Sequence, residues 1–137
     1  MKRRNQQGLA MVEFTIIAFV LFMLLFGIIE FSIILFDKAV ITNASREGAR
    51  AGIVAQYDPV TGYRLPPDPT QISNVVINYF SNIPLIPGPR PPNVTVTPVV
   101  SGNQFSVTVA WNYTLLLFPQ LISTPINLAA TTVMNLE

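Results

Sequence analysis

Residues 14–36 form a run of twenty-three residues with a single charge, Glu30, and the first sixteen carry none. A bilayer core of roughly 30 Å is spanned by about 20 helical residues, so the run is long enough to cross. No proline occurs before Pro59, and nothing else in the run breaks a helix. A buried helix of a soluble protein would need apolar surroundings on every side, and a chain of 137 residues has little else to supply them. A cleaved secretory signal has a shorter apolar region, about 7–15 residues, followed closely by a small-x-small site. Here the Ala49-Arg50-Ala51 triplet lies thirteen residues beyond Phe36, too far for such a cut. Lys2, Arg3 and Arg4 precede the run and Asp37 follows it. The positive-inside bias therefore places the N-terminus in the cytoplasm and the remainder on the far side, with Asp37 and Lys38 marking the return to water.

The rest of the composition narrows the chemistry. Only 11% of residues are charged, against about 25% in soluble domains. The chain has no His and no Cys, which removes the commonest general base, the commonest metal ligands and thiol chemistry. Catalysis needs a positioned base and a stabiliser, and Asp58 and Asp68, ten apart in a proline-rich stretch, do not form a pair. No catalytic residue, metal, cofactor or small-molecule substrate is expected. A formal charge of +1 lacks the basic face that nucleic acid requires.

Beyond the run, polar and apolar residues mix without a breaker, which predicts one helix from about residue 9 to residue 56, with residues 37–57 projecting out of the membrane. Ala44, Gly48, Gly52 and Ala55 form a small-residue stripe at spacings of four, four and three. Small residues let helices approach closely, so the stripe packs either on a partner helix or under the head of the same chain. Glu30 either lies at the outer interface, faces a partner helix, or sits neutral in lipid.

Nine of the twelve prolines fall in residues 58–92, which predicts mostly loop. One regular insert, a helix over about residues 71–82 capped by Thr70 or Ser73, presents Ile72, Val75, Val76, Tyr79 and Phe80 on one face. From residue 93 the pattern changes to alternation. Phe105, Val107, Val109, Trp111 and Tyr113 share one face of a strand, Val94-Thr95-Val96-Thr97 precedes it across a Ser101-Gly102-Asn103 turn, and Ile126, Leu128, Ala130, Thr132, Met134 and Leu136 mark a third strand. The expected fold is α+β: a long N-terminal helix, then a small three-stranded antiparallel sheet with one short helix. Three strands need a cover, supplied by the short helix or the outer part of the long one. Leu115-Leu116-Leu117-Phe118-Pro119 is an apolar run at a strand end, either core or an exposed docking patch.

The N-terminus reads Lys2-Arg3-Arg4-Asn5-Gln6-Gln7-Gly8, then Leu9-Ala10-Met11-Val12-Glu13-Phe14. A basic leader ending in Gly, followed by a Glu and an aromatic at the start of the apolar run, resembles the prepilin leader of type IV pilins in its Flp form. Phe26-Gly27-Ile28-Ile29-Glu30 and Ala44-Ser45-Arg46-Glu47-Gly48-Ala49-Arg50 resemble the TadE-like minor pilins, pseudopilins of the tight-adherence (Flp, type IVb/IVc) pilus system. The pilin-like head that this implies is consistent with the strands above. The chain departs from the family where Asn135 and Leu136, rather than an Arg, separate Met134 from Glu137.

The resemblance implies cleavage between Gly8 and Leu9 by prepilin peptidase, retention of the apolar helix, and a head in the periplasm of a bacterial cell. It implies that Glu13, with Phe14 beside it, attracts a neighbouring subunit's N-terminal amine during assembly, Gly8 having no side chain to obstruct the peptidase. The helix macrodipole would also favour a carboxylate near the helix start. The implied partners are inner-membrane lipid, the peptidase, other pilin or pseudopilin subunits and the assembly platform; the implied role is structural rather than enzymatic. The alternative is a single-pass anchored periplasmic binding module that enters no filament.

Overall fold

The computed structural model describes residues 3–54, 56–62, 64–83, 85, 94–117 and 124–135. Several residues singled out in the sequence lie outside these: Met1 and Lys2, Ala55, the prolines at 84, 87, 89, 91 and 92 with Arg90, Phe118-Pro119, and Leu136-Glu137.

One helix, α1 (Arg3–Ile53), runs for 51 residues, about 75 Å at 1.5 Å per residue. It begins before the implied cleavage point, and its first turn holds no carboxylate. Glu13 is therefore three turns inside the helix. The macrodipole acts within the first turn, so that argument for Glu13 does not hold in the uncleaved chain.

The segment that follows is more regular than a count of prolines implies. β1 (Gln56–Tyr57) and β2 (Arg64–Leu65) form a short antiparallel hairpin. Asp58 closes its turn: Oδ1 accepts from the N–H of Val60 at 2.8 Å and of Thr61 at 3.4 Å. These donors, Val60 first, hold the Asp58 carboxyl below its ordinary pKa. Helix α2 (Pro69–Asn82) begins on a proline, and its N-cap is Asp68, whose side chain accepts from the N–H of Thr70 at 2.8 Å. The cap is thus Asp68, not Thr70 or Ser73. The reason is the Asp-Pro pair: the proline's missing N–H is one that the first turn leaves unpaired anyway.

Strands β3 (Val94–Ser101), β4 (Gln104–Tyr113) and β5 (Ile126–Asn135) form an antiparallel meander in the order β3-β4-β5. Ser101 pairs with Gln104, leaving Gly102-Asn103 as a two-residue turn. Gly102 has φ +59 and, among the described residues, no non-glycine residue has a positive φ, the pattern of a type II′ turn with glycine first. On β4, burial alternates residue by residue: Phe105, Val107, Val109, Trp111 and Tyr113 are all buried.

Their cover is both helices together. The inner face of β4 meets one stripe of α1, Val40, Ile41, Ala44 and Ala49, together with Ile72, Val76 and Phe80 of α2, in a single core. The fold is α+β, with the sheet and the short helix both laid against the outer part of the long helix. Two polar links tie α1 to β5. Lys38 Nζ donates to the Ala129 carbonyl, and the Ser45 and Thr132 hydroxyls lie 2.7 Å apart.

Candidate functional site

The head covers α1 from Glu30 onward and along one face only. The residues it buries are Glu30, Asp37, Val40, Ile41, Ala44, Ser45, Gly48, Ala49 and Gly52, with Ile33 and Ile34 half-buried among them, a set that recurs every three or four residues as one helical face requires; Thr42, Ala51 and Ile53 are half-buried beside it. Before Glu30 nearly every side chain is exposed. Leu9, Phe14, Phe19 and Leu24 are each more than half exposed. Among the described residues, the Gly8–Ile53 stretch is the one helix long and apolar enough to cross a membrane, with an 18-residue window of mean hydropathy 2.7 of which only 6% is buried. A soluble core helix would be mostly covered. Two hydroxyls in and just beyond this rod satisfy themselves: the Thr15 hydroxyl donates to the Met11 carbonyl and the Ser32 hydroxyl to that of Ile28, each at 2.8 Å, a back-bond that removes a donor without a partner.

Where the rod ends, a carboxylate clasps the head. Glu30 Oε1 accepts from the Tyr113 hydroxyl at 2.5 Å and from the N–H of Leu116 at 2.8 Å; Oε2 accepts from the N–H of Leu117 at 3.0 Å. Glu30 is only 5% exposed. The Tyr113 phenol, fully buried and in edge contact with Trp111, has its pKa pushed far up, first by burial and then by the Glu30 carboxylate, so it stays a proton donor. Hydrogen bonds to a charged group contribute about 1.5–3 kcal/mol each, and three of them converge on Glu30. Glu30 contacts the head of its own chain, a partner that none of its three readings from the sequence included.

Asp37 does not mark water. It is fully buried, because it lies on the same helical face seven residues beyond Glu30, under the head. Its charge adds to the field that keeps Tyr113 protonated.

The small-residue stripe also lies under the head. A Cβ on Gly48 would sit 2.7 Å from Val76 Cγ2 and 3.3 Å from Val107 Cγ1, so Gly48 marks the point where α2 and β4 both reach α1. A Cβ on Gly52 would sit 2.0 Å from the Phe105 ring. Ala44 is fully buried. The close approach that small residues permit is used by a strand and a helix of the same chain.

The N-terminal group stands apart. Gly8, Leu9, Glu13 and Phe14 are all exposed, and nothing lies within 4 Å of where a Gly8 Cβ would be. Glu13 and Glu30 are seventeen residues apart on one helix, roughly 25 Å by helical rise. The chain therefore carries two separate arrangements, an exposed end with Gly8 and Glu13 and a clasped end at Glu30.

Residues 8–50 match the family model for TadE-like proteins. This helical arm is TadE-like. The match takes in Gly8, Glu13, Glu30, Ala44 and Gly48 and stops short of Gly52 and the head. No curated protein and no solved structure gives a significant match. The TadE-like arm thus contains both the whole exposed rod and the Glu30 half of the clasp, while the head contributes Tyr113, Leu116 and Leu117.

Sequence reasoning singled out Glu30 without finding its partner. The usable signal was Tyr113 itself: it ends the apolar face of β4, and a buried tyrosine hydroxyl needs an acceptor.

Proposed function

We propose that the chain is a non-enzymatic minor pseudopilin, held in the bacterial inner membrane by residues 9–29 with its head in the periplasm, and acting in assembly of a Flp-type pilus. The observation that carries this reading is the TadE-like match lying on a helix whose N-terminal half is uncovered and apolar. Those 21 residues rise about 30 Å, the thickness of a bilayer core. The span sits five to seven residues nearer the N-terminus than the apolar run alone suggests, because the head occupies the helix from Glu30.

Gly8 ends the leader and Leu9 becomes the mature N-terminus. The Gly8–Leu9 bond lies inside α1, so the peptidase opens the helix locally, which a glycine makes easier by about 1 kcal/mol relative to alanine. Glu13 then offers a carboxylate about 6 Å inside the inner edge of the span, exposed to a neighbouring subunit, where an ionisable group in lipid gains most from a partner. The rod exchanges lipid for the helices of other subunits, and the head, clasped at Glu30, moves with it as a unit.

Sequencing the N-terminus of the protein from cells with an active prepilin peptidase should give Leu9 as the first residue. An intact Met1, or a start beyond the apolar run, would contradict the reading. Glu13→Ala should leave membrane insertion unchanged and strongly reduce piliation; normal piliation would remove the role given to Glu13.

A further inference from the structure

We propose that the loop at residues 114–117 is a second membrane contact, which seats the head on the leaflet where the rod emerges and places Leu116 among the lipids. This rests on the reading that residues 9–29 cross the bilayer.

The loop is held at a fixed height. Glu30 accepts from the N–H groups of Leu116 and Leu117, and Glu30 directly follows the last residue of the uncovered rod. If the rod fills the hydrocarbon, the loop lies at its edge. Its side chains divide accordingly: Leu115 and Leu117 are half-buried, and Leu116 is 45% exposed.

Apolar surface also surrounds the exit point on the other faces of α1. Phe31, Leu35 and Phe36 are 61%, 54% and 43% exposed. They rise about 1.5–9 Å beyond Glu30, a span comparable to the 5–10 Å interfacial layer in which apolar side chains of surface-seated elements settle. The exposed apolar surface of the rod thus continues past Glu30.

Charge removes the usual obstacle. Residues 91–136 contain no Asp, Glu, Lys or Arg, so no ionised side chain of the β4–β5 connection loses water when the loop meets lipid. A single charge at the membrane centre costs about 2.5–3.5 kcal/mol. The opposite end of β4, at Gly102-Asn103, stands about 30 Å away along the strand.

The test uses the full chain, which has no native cysteine. Leu116→Cys, Val20→Cys and Asn103→Cys variants carry a fluorophore in phosphatidylethanolamine/phosphatidylglycerol vesicles containing nitroxide lipids. Quenching at position 116 should be several times stronger than at 103, and stronger with a shallow nitroxide than with a deep one; position 20 should show the reverse depth preference. Position 116 quenched no more than 103, with position 20 quenched, would overturn the loop contact and leave the span standing. An unquenched position 20 would overturn both. Position 116 shielded only after addition of other pilus subunits would assign the loop to a protein partner and overturn the lipid contact.

Discussion

Glu30→Ala should lower the stability of the head by about 3 kcal/mol or more. The side chain accepts from the Tyr113 hydroxyl and from two backbone N–H groups. Removing it strands three donors, one on a fully buried tyrosine, and a donor left unsatisfied costs about 1–3 kcal/mol. Those costs overlap, because the loop can turn its N–H groups to water once released. Glu30→Gln, which keeps an acceptor oxygen but loses the charge, should fall between wild type and Glu30→Ala. Tyr113→Phe should also fall between them, since the carboxylate keeps its two backbone donors. Trp111, the chain's single tryptophan, is buried in edge contact with Tyr113 at a ring-centroid distance of 5.6 Å. Its fluorescence during urea titration of the full chain in detergent reads the head directly. A Glu30→Ala midpoint equal to wild type would show that the clasp contributes nothing.

Gly52→Ala should destabilise the head by about 1–2 kcal/mol despite alanine's higher helix propensity. The gain on exchanging glycine for alanine is at most about 1 kcal/mol, and it is smaller one residue from the end of α1. Against it stands the Phe105 ring, with Cε1, Cζ and Cδ1 at 2.0, 2.5 and 2.8 Å from the new Cβ. Phe105 is buried on the central strand, and overpacking of such a site costs about 1–3 kcal/mol. Two comparisons isolate the cause. Gly27→Ala, with nothing within 4 Å, should leave the Trp111 transition where it is. Phe105→Leu combined with Gly52→Ala should recover part of the loss, a coupling expected of residues in contact. Equal stability for Gly52→Ala and wild type would show that strand and helix can separate at this point without cost.

The two substitutions act at opposite ends of one seam. β4 runs along α1 from Phe105 at Gly52 to Tyr113 at Glu30, so the small residue sets the close approach at one end and the carboxylate fixes the other. The outer part of α1 and the head thereby share one core.

Much of this was legible in the sequence because its periods are clean. The alternation from Phe105 to Tyr113 named both the strand and its buried face, and the unbroken run before Pro59 named the long helix. The face of α2 followed from Ile72, Val76 and Phe80. What was not legible depends on distant pairing. Glu30 and Tyr113 are 83 residues apart, and no local pattern sets where along α1 the sheet will lie. Asp37 read as water because a charge after an apolar run usually marks an interface; only the head's position buries it. Asp68-Pro69 was hidden by treating prolines as breakers, although the first turn of a helix accepts one. The two-residue strands β1 and β2 are too short for any period. The stripe at Ala44, Gly48 and Gly52 suited a partner helix or the chain's own head equally well, and Phe105 and Val76 decide between them.

The most direct measurement of the central claim is the labelling of single introduced cysteines in spheroplasts with a membrane-impermeant maleimide. Residues 9–29 should be shielded by lipid with the head on the outer side, so Val20→Cys should remain unlabelled until detergent is added, while Asn103→Cys should label at once. Equal and immediate labelling of both positions would show that the apolar half of α1 does not lie within the bilayer.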